Sequence, residues 1–279
     1  MLGEAIGRFK IRERIGGGAL GDCWGAAHSE AGHEVVIKLL RPELSALPAM
    51  ARCFDEVRAG SRLSDAGIAK IYDAGHHPNG RAYLITERVR GETLAARAAR
   101  GRMSGTQVAD LMLQAARALA TAQAAGVAHH NLTLTNLMIV ADAERPSGDR
   151  LVVVDFALGS LIAAMPGLGH AAYMAPEQFG GTADWRVDLY ALGCIAFELL
   201  SQRPPFVAAT AAELRDLHQR APVPQVKSLV PDAGYALDQL IARMLSKQPG
   251  DRPSSLREVA KMFELMVGYN APVGETVKS

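Results

Sequence analysis

Near the start of the chain, Gly16-Gly17-Gly18-Ala19-Leu20-Gly21 holds a G-x-G-x-x-G spacing. Glycines so spaced let backbone N–H groups approach a ligand closely, and phosphate is the ligand such amides suit. A plain glycine turn reads the same in isolation. The flanking residues sharpen the choice, because the motif lies between two strand-like runs rather than between a strand and a helix. That argues against a dinucleotide-binding unit and for a flexible hairpin that covers phosphates. Seventeen residues beyond Gly21, Lys38 interrupts an otherwise apolar run of Val35, Val36, Ile37, Leu39 and Leu40. An ammonium in such a strand needs a counter-charge. Glu56, on the next helical segment, is placed to supply it; two solvated charges are the plain alternative.

The elements that must position these groups divide the chain in two. Segments 9–15, 23–27, 34–40, 68–72 and 82–86 are apolar and bounded by turn residues, as in an antiparallel sheet. Residues 47–64 break that series with helical spacing at Met50, Phe54, Val57 and Ser61. After Gly91 the character turns helical. Val108, Leu111, Met112, Ala115, Leu119 and Ala122 form one stripe, stopped by Gly126. A short strand pair is expected at 137–140 and 151–154, then helices at 187–200, 210–220, 235–246 and 255–267. This order implies an α+β, bilobal architecture with a small β-rich N-lobe and hinge over 1–89, a larger helical C-lobe over 90–267, and a loosely ordered tail over 268–279.

Composition removes several classes of function. The chain has 279 residues, 49% of them hydrophobic, so it can bury a real core. Thirty basic against 29 acidic side chains leave no bulk field for nucleic acid or anionic membrane. Three scattered cysteines fit neither a disulfide framework nor a metal site, and point to a reducing, cytoplasmic setting. The longest apolar stretch, 189–200, is too short to span a bilayer and includes Glu198.

Further motifs follow in a fixed order: His129-His130-Asn131, then Asn136, then Asp155-Phe156-Ala157, Ala175-Pro176-Glu177, Asp188 and Arg252. With the glycine loop and Lys38, this series resembles the Hanks-type (eukaryotic-like) protein kinases, bacterial Ser/Thr kinases above all, from about residue 9 to 263. The resemblance implies the protein kinase-like fold and ATP binding with Mg2+. It casts Gly16, Gly18 and Gly21 as the phosphate cover, Lys38 and Glu56 as an ion pair, Thr86 as gatekeeper and 87–89, from Glu87 to Val89, as the adenine-binding hinge. Val36 and Met138 become walls of the adenine pocket, with Cys23 above it, and Asn136 and Asp155 the metal-binding pair. Asp188 becomes the brace of the catalytic loop, and Arg252 the partner of Glu177.

The departures from the family pattern are confined to groups that touch one another. Asn131 replaces the catalytic aspartate, and a neutral carboxamide cannot take a hydroxyl proton at neutral pH. Thr133 replaces the lysine aimed at the transferring phosphate; tyrosine kinases move that charge two residues on, where Thr135 stands. His130 replaces the arginine that holds a phosphorylated activation loop. Between Phe156 and Ala175 the hydroxyl side chains are Ser160 and Tyr173 alone, so control by activation-loop phosphorylation is not expected. His170 occupies the place of a threonine that contacts the catalytic aspartate and lysine. Ala157 stands for a glycine, removing backbone freedom beside Asp155. The expectation is a pseudokinase: an ATP-binding module, impaired in phosphoryl transfer, that works through a protein partner in signalling such as a related kinase. An active Ser/Thr kinase that tolerates Asn131 is the alternative. A third class moves another group, such as AMP, with His130 as the sole candidate base.

Overall fold

Short apolar runs bounded by turn residues, one of them interrupted by Lys38, build the N-terminal sheet. In a computed structural model describing residues 1–165, 170–181 and 183–269, six antiparallel strands appear: β1 (Ala5–Ile6), β2 (Phe9–Gly17), β3 (Gly21–His28), β4 (Glu34–Leu40), β5 (Ile71–His76) and β6 (Ala82–Glu87). They lie in the order β1-β2-β3-β4-β6-β5. The two-residue period of β4 sends Val35 and Ile37 to one face, where they pack with Ile6, Ile11, Ala26 and Ile85. Val36, Lys38 and Leu40 therefore share the other face. There Leu40 joins a core with Met50, Cys53 and Val57 of the neighbouring helix, so Lys38 points inward.

That helix is shorter than the sequence pattern proposed. Within 47–64 the helix is α2 (Met50–Gly60), which starts after Pro48, and a separate short helix, α1 (Pro42–Ser45), precedes it. The strand expected at 68–72 is also displaced to 71–76, because Ile68 and Ala69 are drawn off to bond Val153, the Ala69 N–H reaching its carbonyl at 2.9 Å. This is a backbone tie between the two halves of the molecule.

The C-terminal half begins with β7 (Glu92–Thr93), α3 (Leu94–Ala98) and α4 (Gly105–Ala124). Ser104 caps α4 in a reciprocal box with Gln107, and Gly126 ends it at φ +75°. β8 (Leu137–Ala141) and β9 (Asp149–Val153) pair with β7 in a small sheet. Then follow α5 (Gly159–Ala164), α6 (Arg186–Ser201), α7 (Ala211–Arg220), α8 (Tyr235–Met244) and α9 (Leu256–Tyr269). Helix α5 was not foreseen. Helix α9 runs two residues into the segment expected to be tail, and 270–279 lie outside the described residues. Helix α6 is buried on nearly every side, as its predominantly apolar sequence requires. No helix among the described residues is long and apolar enough to cross a membrane.

One buried contact on α6 makes stability pH-dependent. Tyr190 Oη and His218 Nδ1 of α7 lie 2.8 Å apart, and the His218 ring is packed edge-on against Phe206. Burial, aided by Lys247, pulls the imidazole down to about 4 from 6.5. A histidine folded in its neutral form contributes stability above its unfolded value, and that contribution is lost as pH falls toward the folded value. We expect ~3 kcal/mol of urea-unfolding free energy to disappear from this site between about pH 6.5 and 4. A His218→Asn variant should start less stable at pH 7 and fall less steeply with acid; an unchanged slope refutes the assignment.

Candidate functional site

The catalytic-loop residues are held by a buried carboxylate. Asp188, in the first turn of α6, accepts the backbone N–H of His129 at 2.8 Å and of His130 at 2.7 Å. These bonds keep His130 at φ +61°, a conformation that costs a non-glycine residue about 1 kcal/mol or more. Its carbonyl is tied by Gln178 Nε2 at 2.9 Å, and Gln178 Oε1 accepts from Ala175 N at 2.8 Å, so one amide links the loop to the Ala175-Pro176-Glu177 segment. Nothing in the sequence pattern singled out Gln178. His129 is fully buried; its Nε2 faces the Val154 carbonyl at 2.8 Å and its Nδ1 accepts from Asn131 N at 3.3 Å. Burial pushes this ring below the ordinary histidine value, which keeps it neutral. With both nitrogens engaged, His129 is a packing residue.

Asn131 and Thr133 lie in the loop between α4 and β8. Asn136 Nδ2 donates to the Asn131 carbonyl at 2.9 Å, closing the loop. The Thr133 hydroxyl is buried and lies 2.8 Å from that of Thr135, which in turn reaches Asn136 Oδ1 at 3.4 Å. Thr133, Thr135 and His170 line a groove of about 320 Å³ with Tyr173 and Glu198. The side-chain charge in that list belongs to Glu198, raised by burial and hydrogen-bonded by Tyr173 Oη at 2.8 Å.

The expected Lys38–Glu56 pair is not formed. Lys38 Nζ instead contacts Asp155 Oδ2 at 2.5 Å. Burial lowers the ammonium's proton affinity, but the Asp155 carboxylate more than offsets this, and Lys38 ends above its ordinary value. Glu56 is taken by Ser160 of α5, accepting from both its hydroxyl and its backbone N–H. The physical reason is the unforeseen α5, which occupies the space beside α2. Asp155 and Ala157 both adopt positive φ, +66° and +70°. Ala157 thus keeps the left-handed backbone that a glycine would adopt freely, and its carbonyl accepts from Cys53 Sγ at 3.1 Å.

The remaining candidates surround this pair. The hairpin tip closes with Gly18 N on Gly21 O at 2.9 Å. A Cβ on Gly21 would lie 2.1 Å from the Leu39 carbonyl, so only glycine fits beneath the tip, whereas Gly16 and Gly18 face open space. On β4, Val36 is half-buried and faces Gly25 on one side and Thr86 on the other; Lys38 lies opposite Cys23 and Leu84. Burial raises the Cys23 thiol above its ordinary value. Glu87 bonds the Lys70 N–H through its carboxylate at 3.1 Å, and Val89 is half-buried in the link to β7. Met138 is half-buried on β8, opposite Thr93 and Val152. As hard oxygen donors, Asp155 and Asn136 suit Mg2+, with a nucleotide's phosphates completing its shell. Lys38 holds one of the Asp155 oxygens in this conformation.

A two-lobed fold with a glycine hairpin, an inward lysine, a braced loop and a following Asp-Phe defines the kinase class of proteins. The chain belongs to the protein kinase domain family, whose pattern it matches over residues 9–263. It is 34% identical over 284 residues to serine/threonine-protein kinase Pkn1 of Myxococcus xanthus, covering 98% of this chain and 40% of that protein. Serine/threonine-protein kinase PknA of Mycobacterium tuberculosis is 33% identical over 259 residues, covering 88% and 58%. The chain therefore spans about half the length of these bacterial relatives. The solved kinase domain of Mycobacterium tuberculosis PknI has the same fold, with a TM-score of 0.76 at 22% identity over 95% of this chain and 98% of that one.

Arg252 secures the lower edge of the site. Its guanidinium grips Glu177 at 2.7 and 2.8 Å, donates to the Arg186 and Ser246 carbonyls at 2.9 Å each, and is almost fully buried. Removing one member of such a pair strands the other charge, at a cost of about 3–5 kcal/mol. Arg252→Met should lose that much in urea unfolding, and a loss below about 1 kcal/mol would show the pair to be dispensable.

Proposed function

We propose that this chain is a pseudokinase: a cytoplasmic, nucleotide-binding kinase domain, impaired in phosphoryl transfer, that acts through contact with a signalling protein such as a related kinase. One observation carries the reading. Asn131 and Thr133 sit in a loop whose supports, Asp188, Asn136 and Gln178, are all in place. The frame is kept while the two side chains that would move a proton and stabilise charge are neutral.

The magnitudes favour loss of useful turnover. A missing general base costs ~10²–10⁴-fold, set against about 1–100 s⁻¹ for kinases. A missing cation at the phosphate costs roughly another 10²-fold, by analogy with other transition-state donors. Multiplied, these leave about 10⁻⁶–10⁻² s⁻¹, although effects within one catalytic unit combine less than fully.

Binding is a separate capacity. The glycine-loop amides offer donors to phosphates, Lys38 a positive charge, and Asn136 and Asp155 oxygen ligands for Mg2+. Bound Mg2+ supplies charge neutralisation between the phosphates. Lys38 holds Asp155 Oδ2 in this conformation, so that oxygen would serve Mg2+ only with the pair apart. The relatives' names as serine/threonine-protein kinases support a nucleotide-binding ancestry.

Mg-ATP at 100 times its dissociation constant should stabilise the protein by ~2.7 kcal/mol, or roughly 5–10 °C in thermal unfolding. No shift in a folded sample argues for a scaffold without nucleotide. With γ-labelled ATP and Mg2+ or Mn2+, we expect no sustained label transfer to protein; turnover near 1 s⁻¹ would instead establish an active Ser/Thr kinase. Restoring both groups, as Asn131→Asp with Thr133→Lys, should raise label transfer by at least 10²-fold. No gain would mean that more than these two side chains has been lost.

A further inference from the structure

The pairing of β2 with β3 is interrupted twice, between Ile11 and Glu13 and between Arg14 and Gly16. Arg12 and Ile15 drop out of the ladder, and both are exposed. Such bulges weaken a ladder and re-aim the side chains beside them. By contrast, β3 pairs with β4 without a break from Gly21 to Ala27. The strand that leads into the glycine hairpin is thus held partly by side chains. Glu13 and Arg14 lie between the two bulges. Arg14 reaches Asp22 of β3 at 2.9 Å, and Glu13 is gripped by Arg88 Nη1 at 2.6 Å.

Arg88 follows the last residue of β6, in the segment expected to be the hinge. The backbone before it is anchored. The Glu87 N–H donates to the Lys70 carbonyl at 2.8 Å, and the Glu87 carboxylate accepts the Lys70 N–H at 3.1 Å. From there the Arg88 side chain runs along the sheet face that carries Cys23, Gly25, Val36 and Lys38. Its path is open because Gly25 lies directly between Glu13 and Val36 in the sheet and has no side chain. A Cβ on Gly25 would stand 2.9 Å from Arg88 Nη1 and 2.9 Å from Glu13 Cγ. Glu34, at the start of β4, adds a second carboxylate, 3.9 Å from Arg88 Nε and 2.5 Å from Arg90 Nη2.

We propose that Arg88 and Glu13 form a strap that fixes β2, and with it the glycine hairpin, relative to the hinge. Arg88 is then a positioning residue. It couples the end of the cleft that receives a base to the end that receives phosphates, since Gly16 follows Glu13 by three positions. Its role in binding rests on the nucleotide reading, whereas the strap is a contact measurable without nucleotide. Arg88 is 24% exposed and Glu13 53%, so the pair is partly solvated, modest in strength and sensitive to salt.

Two measurements test it. In nucleotide-free protein, hydrogen exchange of the amides of 13–18 should quicken about two- to fivefold in Glu13→Gln, the range of a partly exposed ion pair. Arg88→Gln should match it, and the double variant should add little to either. Gly25→Ala keeps both charges but fills the channel, and should quicken exchange similarly. In about 1 M salt the parent should lose most of its advantage over Glu13→Gln. By calorimetry, Mg-ADP should bind Glu13→Gln about two- to fivefold more weakly than the parent, while adenosine, which lacks phosphates, should bind both equally. Unchanged exchange in Glu13→Gln, or additive effects of the two Gln substitutions, overturns the strap. Equal losses for adenosine and Mg-ADP, or equal Mg-ADP affinities in the parent and Glu13→Gln, overturn its positioning of the hairpin. Quickened, non-additive exchange with neither ligand bound by the parent supports the strap and refutes the nucleotide reading alone.

Discussion

The buried carboxylate of Asp188 is the constraint on which the site depends. An anion almost wholly removed from water must be compensated, and here two backbone N–H groups of the catalytic loop do so. The bonds run both ways in consequence. They satisfy Asp188, and they hold His130 in a left-handed conformation it would not otherwise populate. From that fixed point the loop carries Asn131 and Thr133 outward and returns to β8 through Asn136. The Asn136 carbonyl accepts the Val154 N–H at 2.9 Å, so the residue before Asp155 is set by the same frame.

This arrangement separates architecture from chemistry. The bracing groups bond mainly to backbone, so their geometry does not depend on which side chains the loop presents. Asn131 for aspartate, and Thr133 for lysine, leave those bonds untouched. Replacing Asp188 or Arg252 would unseat several backbone groups at once. Such a domain can lose transfer chemistry and still fold, which is the physical basis for reading the neutral loop as a change of function.

Much of the frame was legible in the sequence because it is written in local patterns. The apolar run around Lys38 marked it as an inward lysine, the stripe from Val108 to Ala122 marked α4, and the glycine spacing lay on a hairpin. The motif order located Asp188 and Arg252. What was not legible depends on contacts between distant segments. Residues 159–164 form too short a helix to show a period, begin with glycine and lack their own cap. Their helicity comes from burial of Leu161 and Ile162 and from Glu56. Once that helix is absent from the reading, pairing Lys38 with Glu56 is the natural expectation, so one missed element accounts for the misassigned ion pair. The start of β5 was misjudged for a similar reason, since Ile68 and Ala69 are buried against β9 rather than in the N-terminal sheet.

The backbone around Asp155 is strained at more than one residue. His130, Asp155 and Ala157 all have φ above +60°. Each such non-glycine conformation costs of order 1–3 kcal/mol and persists only where its surroundings over-determine it. At His130 those surroundings are Asp188, Gln178 and the close packing of Gly159. At Ala157 they are the Cys53 thiol and complete burial. Two of these supports, Gly159 and Cys53, belong to the contacts of α5 and α2 rather than to the braced loop. A change that separates α2 from α5 therefore also removes what holds Ala157 in its strained form. The relief of that strain offsets part of the cost of separating α2 from α5, so the two helices are held together less strongly than their individual contacts suggest.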